Sequence, residues 1–260
     1  MKRIVYADGF HGFLTACSKL VNAPVALVEF QAEKDNADQL GLFDTANNAS
    51  AAVKVDEQIV QQFIGQIIEK IGQNFLVTLD SAFRHNLAEK ETYCFHALHL
   101  GFQHGPKVLQ FKQDIKVARF LKLAQAVNFE IHRFYGFTRF KEHAESRFLY
   151  ARISPKFDIL EPLALYFRVR LNSVAWLLAT DTQCALWDQK QLFLGRLSSP
   201  IRFDADDSIE ELWQQYYRAT TNLQRWNWRV FQNHLPIYYQ KYMPEKQVIQ
   251  TFQTASGEEF

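Results

Sequence analysis

Phe148-Leu149-Tyr150-Ala151-Arg152-Ile153, Val174-Ala175-Trp176-Leu177-Leu178-Ala179-Thr180 and Cys184-Ala185-Leu186-Trp187 are short apolar runs. Thr138–His143, just before them, has the same texture, and Ile159–Leu171 reads as a helix between the two pairs. Runs of this length bounded by polar residues read as strands. Strands joined by short polar turns favour antiparallel neighbours. The stretch therefore predicts one mainly antiparallel sheet, with a helix over 112–135 packed nearby. Strands mixed irregularly with helices make the class α+β rather than a doubly wound sheet.

Working toward the N-terminus, residues 88–103 and 73–84 read as helices. Asp56 caps another that runs to about Ile71. Ala52–Val55, Val25–Phe30 and Arg3–Tyr6 read as strands, and Gln31–Ser50 as a polar loop. Asp8-Gly9 turns the chain into a helix ending near Val21. On the other side, the chain is helical again from Asp206, where Asp207, Glu210 and Glu211 suit a helix N-terminus. The expected organisation is one α+β domain over 1–245 and a tail over 246–260.

Composition narrows the class. The chain has 260 residues, 48% of them apolar, enough for a sizeable core. Cys17, Cys94 and Cys184 stand far apart, which suits a reducing compartment rather than a disulfide scaffold. No run approaches the length of a membrane span and no signal-peptide core follows the basic start. The expected address is cytoplasmic, with no membrane partner. Net charge is +1 but unevenly placed: Lys107 to Arg170 carries 13 Lys/Arg against 6 Asp/Glu. A neutral chain with such a block can present a cationic face to a polyanion.

The helix over 112–135 carries much of that block. At about 100° per residue, Val117, Phe120, Leu121, Ala124, Val127 and Ile131 share one face. Lys112, Lys116, Arg119, Lys122 and Arg133 fall on the opposite sector, a row suited to tracking phosphates. Asn128 and His132 project from the edge of the apolar face and read as a hydrogen-bonded core pair. Glu130 and Arg133 are one turn apart, spaced to pair, and Arg139 follows a Gly136 that can end the helix. Cys94, His96, His99 and His104 offer metal-ligating atoms. However, Cys94 and His96 point about 200° apart on a continuous helix, so no metal is expected.

Glu130-Ile131-His132-Arg133-Phe134-Tyr135-Gly136-Phe137-Thr138-Arg139-Phe140 resembles a bacterial family of unknown function assigned to DNA metabolism and DNA repair. The likeness continues through Leu149-Tyr150-Ala151, Pro155, Phe167, Arg170 and Trp176. It reaches back to Tyr6 and Gly12-Phe13-Leu14-Thr15-Ala16, and forward to Pro236 and Met243-Pro244-Glu245. The resemblance implies a companion of a radical-SAM protein, and some relatives carry a uracil-DNA-glycosylase-like domain after this region. The chain departs from the family pattern at Asp8, at Tyr166 (a His is usual) and at Thr180 (an Asp is usual).

No CxxxCxxC, GxxxxGK[ST], HExxH or GxSxG is present, and no bound cofactor is expected. Three readings follow. The first is a nucleic-acid-binding accessory to a radical-SAM base-modification or repair enzyme. Its contacts to DNA would come from Lys112, Lys116, Arg119, Lys122, Arg133, Arg139 and Arg170, with Trp226 and Trp228 as stacking surfaces. The second is a nucleic-acid-processing enzyme, with Glu130 and His132 as acid/base groups beside Arg133 and Arg139. The third is an adaptor whose cationic face docks an acidic protein.

Overall fold

Leu149–Arg152 and Trp176–Ala179 are strands lying side by side and parallel, with Leu149 opposite Trp176 and Arg152 opposite Ala179. The computed structural model in which they pair describes residues 2–21, 28–33, 53–142, 148–197, 214–215, 218–221 and 228–256. The described chain forms two compact units, Met1–Asn128 and Phe129–Phe260.

In the first unit β1 (Lys2–Ala7) runs parallel to β2 (Val28–Glu33), and α1 (Phe10–Ser18) lies between them in the chain. Val53 bridges Tyr6, also in parallel. Helix α1 sits tight on the end of β1, because a Cβ at Gly12 would overlap the carbonyl of Ala7. Three helices follow: α2 (Glu57–Lys70), α3 (Gln73–Phe83) and α4 (Lys90–His104). The Asp56 side chain caps α2 as its sequence position predicts, accepting from the amides of Gln58 and Ile59. The core is aromatic: Phe13 stacks on Phe83 at 5.0 Å, and Phe75 meets Phe120 at 5.7 Å. Tyr6, buried, donates a 2.8 Å hydrogen bond to the buried carboxylate of Glu91.

Helix α5 (Ile115–Phe137) begins in the first unit and ends in the second. Of its predicted apolar face, Val117, Phe120, Ala124 and Val127 are buried, and Leu121 and Ile131 are half-buried. Asn128 and His132 do not form the expected core pair. Both are exposed, and the Asn128 amide oxygen instead accepts from Ser81 at 3.0 Å.

The second unit holds a sheet of order β3-β4-β5-β6-β7, from β3 (Lys141–Glu142), β4 (Leu149–Arg152), β5 (Trp176–Ala179), β6 (Gln183–Trp187) and β7 (Leu192–Arg196). Every neighbouring pair is antiparallel except β4–β5. The fold is thus α+β with a mainly antiparallel sheet. The parallel pair arises because α6 (Leu160–Arg170) separates the two strands and carries the chain back to its starting end. Buried Trp176 meets Phe140 edge-on, and Phe140 meets Phe167 of α6 in the same way.

After β7 come α7 (Trp228–His234), a 3-10 turn over Ile237–Tyr242 and α8 (Lys246–Ser256). Residues 246–256, assigned to a tail from sequence, are therefore mostly helical, and Val248 and Ile249 are buried. Of the helix expected from Asp206, residues 214–215 and 218–220 are described and helical; residues 206–213 and the side chains of Trp226 and Trp228 lie outside the described residues. Among the described residues, no helix is long and apolar enough to cross a membrane.

Candidate nucleic-acid interface

Glu130 sits on the buried face of α5 and is 2% exposed. Its carboxylate faces the loop that follows β4. It accepts from the amides of Lys156 (3.0 and 3.1 Å) and Phe157 (2.9 Å), and from the Tyr239 hydroxyl at 3.3 Å. Burial lifts its pKa above the ordinary carboxylate value, and these hydrogen bonds offset part of that rise. Glu130 therefore fixes a loop. The expected Glu130–Arg133 pair is replaced by bonds to backbone amides 26 and 27 positions away in the chain.

Arg133 turns instead to the 3-10 segment. Its guanidinium lies over the Tyr239 ring at 5.3 Å and donates to the Asn233 carbonyl at 3.5 Å. The same pattern recurs along Ile237-Tyr238-Tyr239-Gln240-Lys241-Tyr242. Lys156 Nζ stands 5.0 Å from the Tyr238 ring centre, and Arg152 and Lys241 stand 4.8 and 4.9 Å from that of Tyr242. Three tyrosines thus alternate with four cations on one short segment and its neighbours. Asp181 is the counter-charge. It accepts from Arg152 at 2.6 Å and from the Tyr242 hydroxyl at 3.3 Å, with Lys241 Nζ at 3.5 Å. The Arg152 hydrogen bond leads in holding the Asp181 carboxyl below its usual range.

The remaining predicted residues separate into distinct settings. Arg139 places Nε and one terminal nitrogen on a single oxygen of Glu245, both at 3.0 Å, and also donates to the Gly136 carbonyl. Glu245 is 1% exposed and its other oxygen, also buried, has no hydrogen-bond partner among the described residues. That pairing ties the chain before α8 to the end of α5. Arg170 donates to the Tyr166 hydroxyl at 2.8 Å, and Tyr166 stacks on Tyr135 at 3.9 Å. Exposed His132 meets the edge of Tyr135 at 6.3 Å. Lys112, Lys116, Arg119 and Lys122 are exposed on the first unit and form no ion pair among the described residues.

His96 and His99 are likewise engaged. His96 Nε2 lies 3.0 Å from Asp114, and His99 Nδ1 lies 3.1 Å from the Val21 carbonyl. Among the described residues, no group of three or more His, Cys, Asp or Glu is placed to hold a metal ion.

Residues 88–245 match the family described as Domain of unknown function (DUF4130). The chain belongs to that family. No curated protein and no solved structure matches it. The DUF4130 segment takes in α4, α5, the whole five-stranded sheet, and both the tyrosine–cation segment and the residues that flank it. Four DUF4130 positions in this arrangement, Arg152, Lys156, Lys241 and Asp181, carry charge at sites that sequence reading had not singled out for binding. The available signal was local: Tyr-Tyr-Gln-Lys-Tyr interleaves aromatics and a cation, the composition of a stacking surface.

Proposed function

We propose that this chain binds nucleic acid in its single-stranded form, as an accessory component of DNA metabolism working beside a radical-SAM protein. The observation that carries the nucleic-acid reading is the alternation of Tyr238, Tyr239 and Tyr242 with Arg133, Arg152, Lys156 and Lys241. A duplex offers phosphates but hides its base faces. Aromatic rings interleaved with cations serve exposed bases and backbone together, at about 1–3 kcal/mol per stacked base. The radical-SAM companion is supported by the family resemblance alone.

The same geometry favours binding over catalysis. Glu130 is committed to two amides and a phenol, and Arg139 to Glu245. Neither is free to serve as an acid, a base or a phosphate clamp in this arrangement.

Fluorescence anisotropy with a labelled single strand and the matching duplex tests the reading. The single strand is expected to bind more tightly. The double variant Tyr238→Ala/Tyr242→Ala should weaken single-strand binding at least tenfold while leaving the weaker duplex binding within a few-fold. Equal affinity for both forms, or no effect of the double variant, rejects the proposal. Co-purification from the native host tests the partner separately.

A further inference from the structure

The parallel strands β4 and β5 end together, at Arg152 and Ala179, and both chains leave the sheet at the same edge. The loop from Ser154 to Leu160 and the turn from Thr180 to Gln183 border an open cavity of about 380 Å³ there. Small-molecule sites span roughly 300–1,000 Å³.

Half-buried Phe157 gives the cavity an apolar side, backed by buried Ile159 and Leu160. Opposite them the Gln183 backbone is held by Thr180, whose hydroxyl accepts from the Gln183 amide at 2.9 Å. Gln183 and Thr182 both line the cavity, and their side chains carry a carboxamide and a hydroxyl. Neither makes a hydrogen bond among the described residues. A half-buried carboxamide on a fixed backbone presents one donor and one acceptor side by side, the complement of a nucleobase edge. Asp158 and Asp181 also line the cavity, and two carboxylates disfavour a phosphate inside it.

The cavity adjoins the tyrosine segment. Tyr238 hydrogen-bonds Ser154 and Tyr242 hydrogen-bonds Asp181, so residues of the cavity and of the segment touch directly. We infer that the cavity at the ends of β4 and β5 is a nucleoside pocket, in which Gln183 reads the base edge and Phe157 takes the base face. This inference rests on the nucleic-acid reading above: the pocket receives one unit of a strand whose neighbours lie on the tyrosines and whose phosphates stay outside.

Free nucleosides separate the two claims. Saturation-transfer NMR with adenosine, guanosine, cytidine and thymidine should show one or more of them bound to the full chain. Gln183→Leu should reduce that binding roughly tenfold with an unchanged melting temperature, as expected for losing a paired donor and acceptor. Gln183→Glu, which replaces the donor by an acceptor, should change which nucleoside binds best. Thr182→Val supplies a second lesion at an exposed position should Gln183→Leu fail to fold, and it should also weaken binding. If no nucleoside binds, or if Gln183→Leu and Thr182→Val bind like the parent, the pocket assignment is wrong even where single strands still bind. If nucleosides bind in a Gln183-dependent way but oligonucleotides do not, the pocket stands and the strand-binding reading falls.

Discussion

Glu130 and Arg139 both belong to the segment whose family resemblance is strongest, yet each is consumed by architecture. Replacing Glu130 by Ala leaves the Lys156 and Phe157 amides without their shared acceptor. An unsatisfied buried donor costs about 1–3 kcal/mol, so thermal melts should fall by several degrees. The pH dependence has a definite sign. Burial raises the Glu130 pKa above its ordinary 4.5, so the folded state holds that proton more tightly than the unfolded chain. This contribution to stability is present below pH 4.5 and is lost as pH rises through the folded value. Glu130→Gln should remove that slope from a melt-versus-pH series. An unchanged slope would assign the titration to another group. Arg139→Lys should also melt early, by about 2 kcal/mol, because an ammonium cannot place two donors on buried Glu245 as the guanidinium does. Arg133→Lys should melt near the parent and lose single-strand affinity instead, since Arg133 is half-buried and its contacts are a long hydrogen bond to the Asn233 carbonyl and the ring and hydroxyl of Tyr239.

Helix α5 depends on how its first turn is closed. Asp114 Oδ1 accepts from the amides of Lys116 and Val117, both at 2.9 Å, while Oδ2 meets His96 at 3.0 Å. Burial pushes the Asp114 pKa up, but the Val117, His96 and Lys116 interactions outweigh it and hold the carboxyl below its usual 3.8. The stabilisation is therefore complete above pH 3.8 and is lost as pH falls through the folded value. Asp114→Ala should cost about 1–2 kcal/mol, read by chemical denaturation at neutral pH, with that difference shrinking as pH falls below 3.8. The helices announced themselves in the sequence because their caps and apolar stripes are local: Asp56, and the Val117–Val127 face. β7 did not. Leu192-Phe193-Leu194-Gly195-Arg196 lacks alternation and leaves most of its side chains exposed, so its strand state comes from pairing with β6. The Asp188 side chain, accepting from the amides of Lys190 and Gln191, was the one local hint of that hairpin. The parallel β4–β5 pair was legible in principle, since a helix between two strands demands a crossover. The candidate interface was not, because Lys156 meets Tyr238 and Arg152 meets Tyr242 across 82 and 90 positions of sequence. In a chain with 23 Phe, 10 Tyr and 5 Trp, a run of three tyrosines carries little contrast.

At the scale of the whole chain, a net charge of +1 conceals two cationic surfaces of different chemistry. On the first unit, Lys112, Lys116, Arg119 and Lys122 are exposed cations on and just before one helix, unaccompanied by aromatic partners in any ring contact. On the second, the cations sit against tyrosines. Long-range attraction falls off with added salt, whereas stacking is far less sensitive to it. The two surfaces should therefore separate in a salt titration of single-strand binding. Reversing Lys116, Arg119 and Lys122 to Glu removes three potential phosphate contacts. At about 0.7 per contact on a single strand, the slope of log affinity against log salt should flatten by about 2, with the preference for single strand over duplex kept. Tyr238→Ala/Tyr242→Ala should do the reverse, keeping most of the slope and losing the preference, because the remaining cations attract either form. If the charge-reversed chain keeps the parental slope, the row on α5 is a solvated helix face and strand binding belongs to the tyrosine segment alone. If it loses the single-strand preference instead, the assignment of stacking to Tyr238 and Tyr242 is wrong.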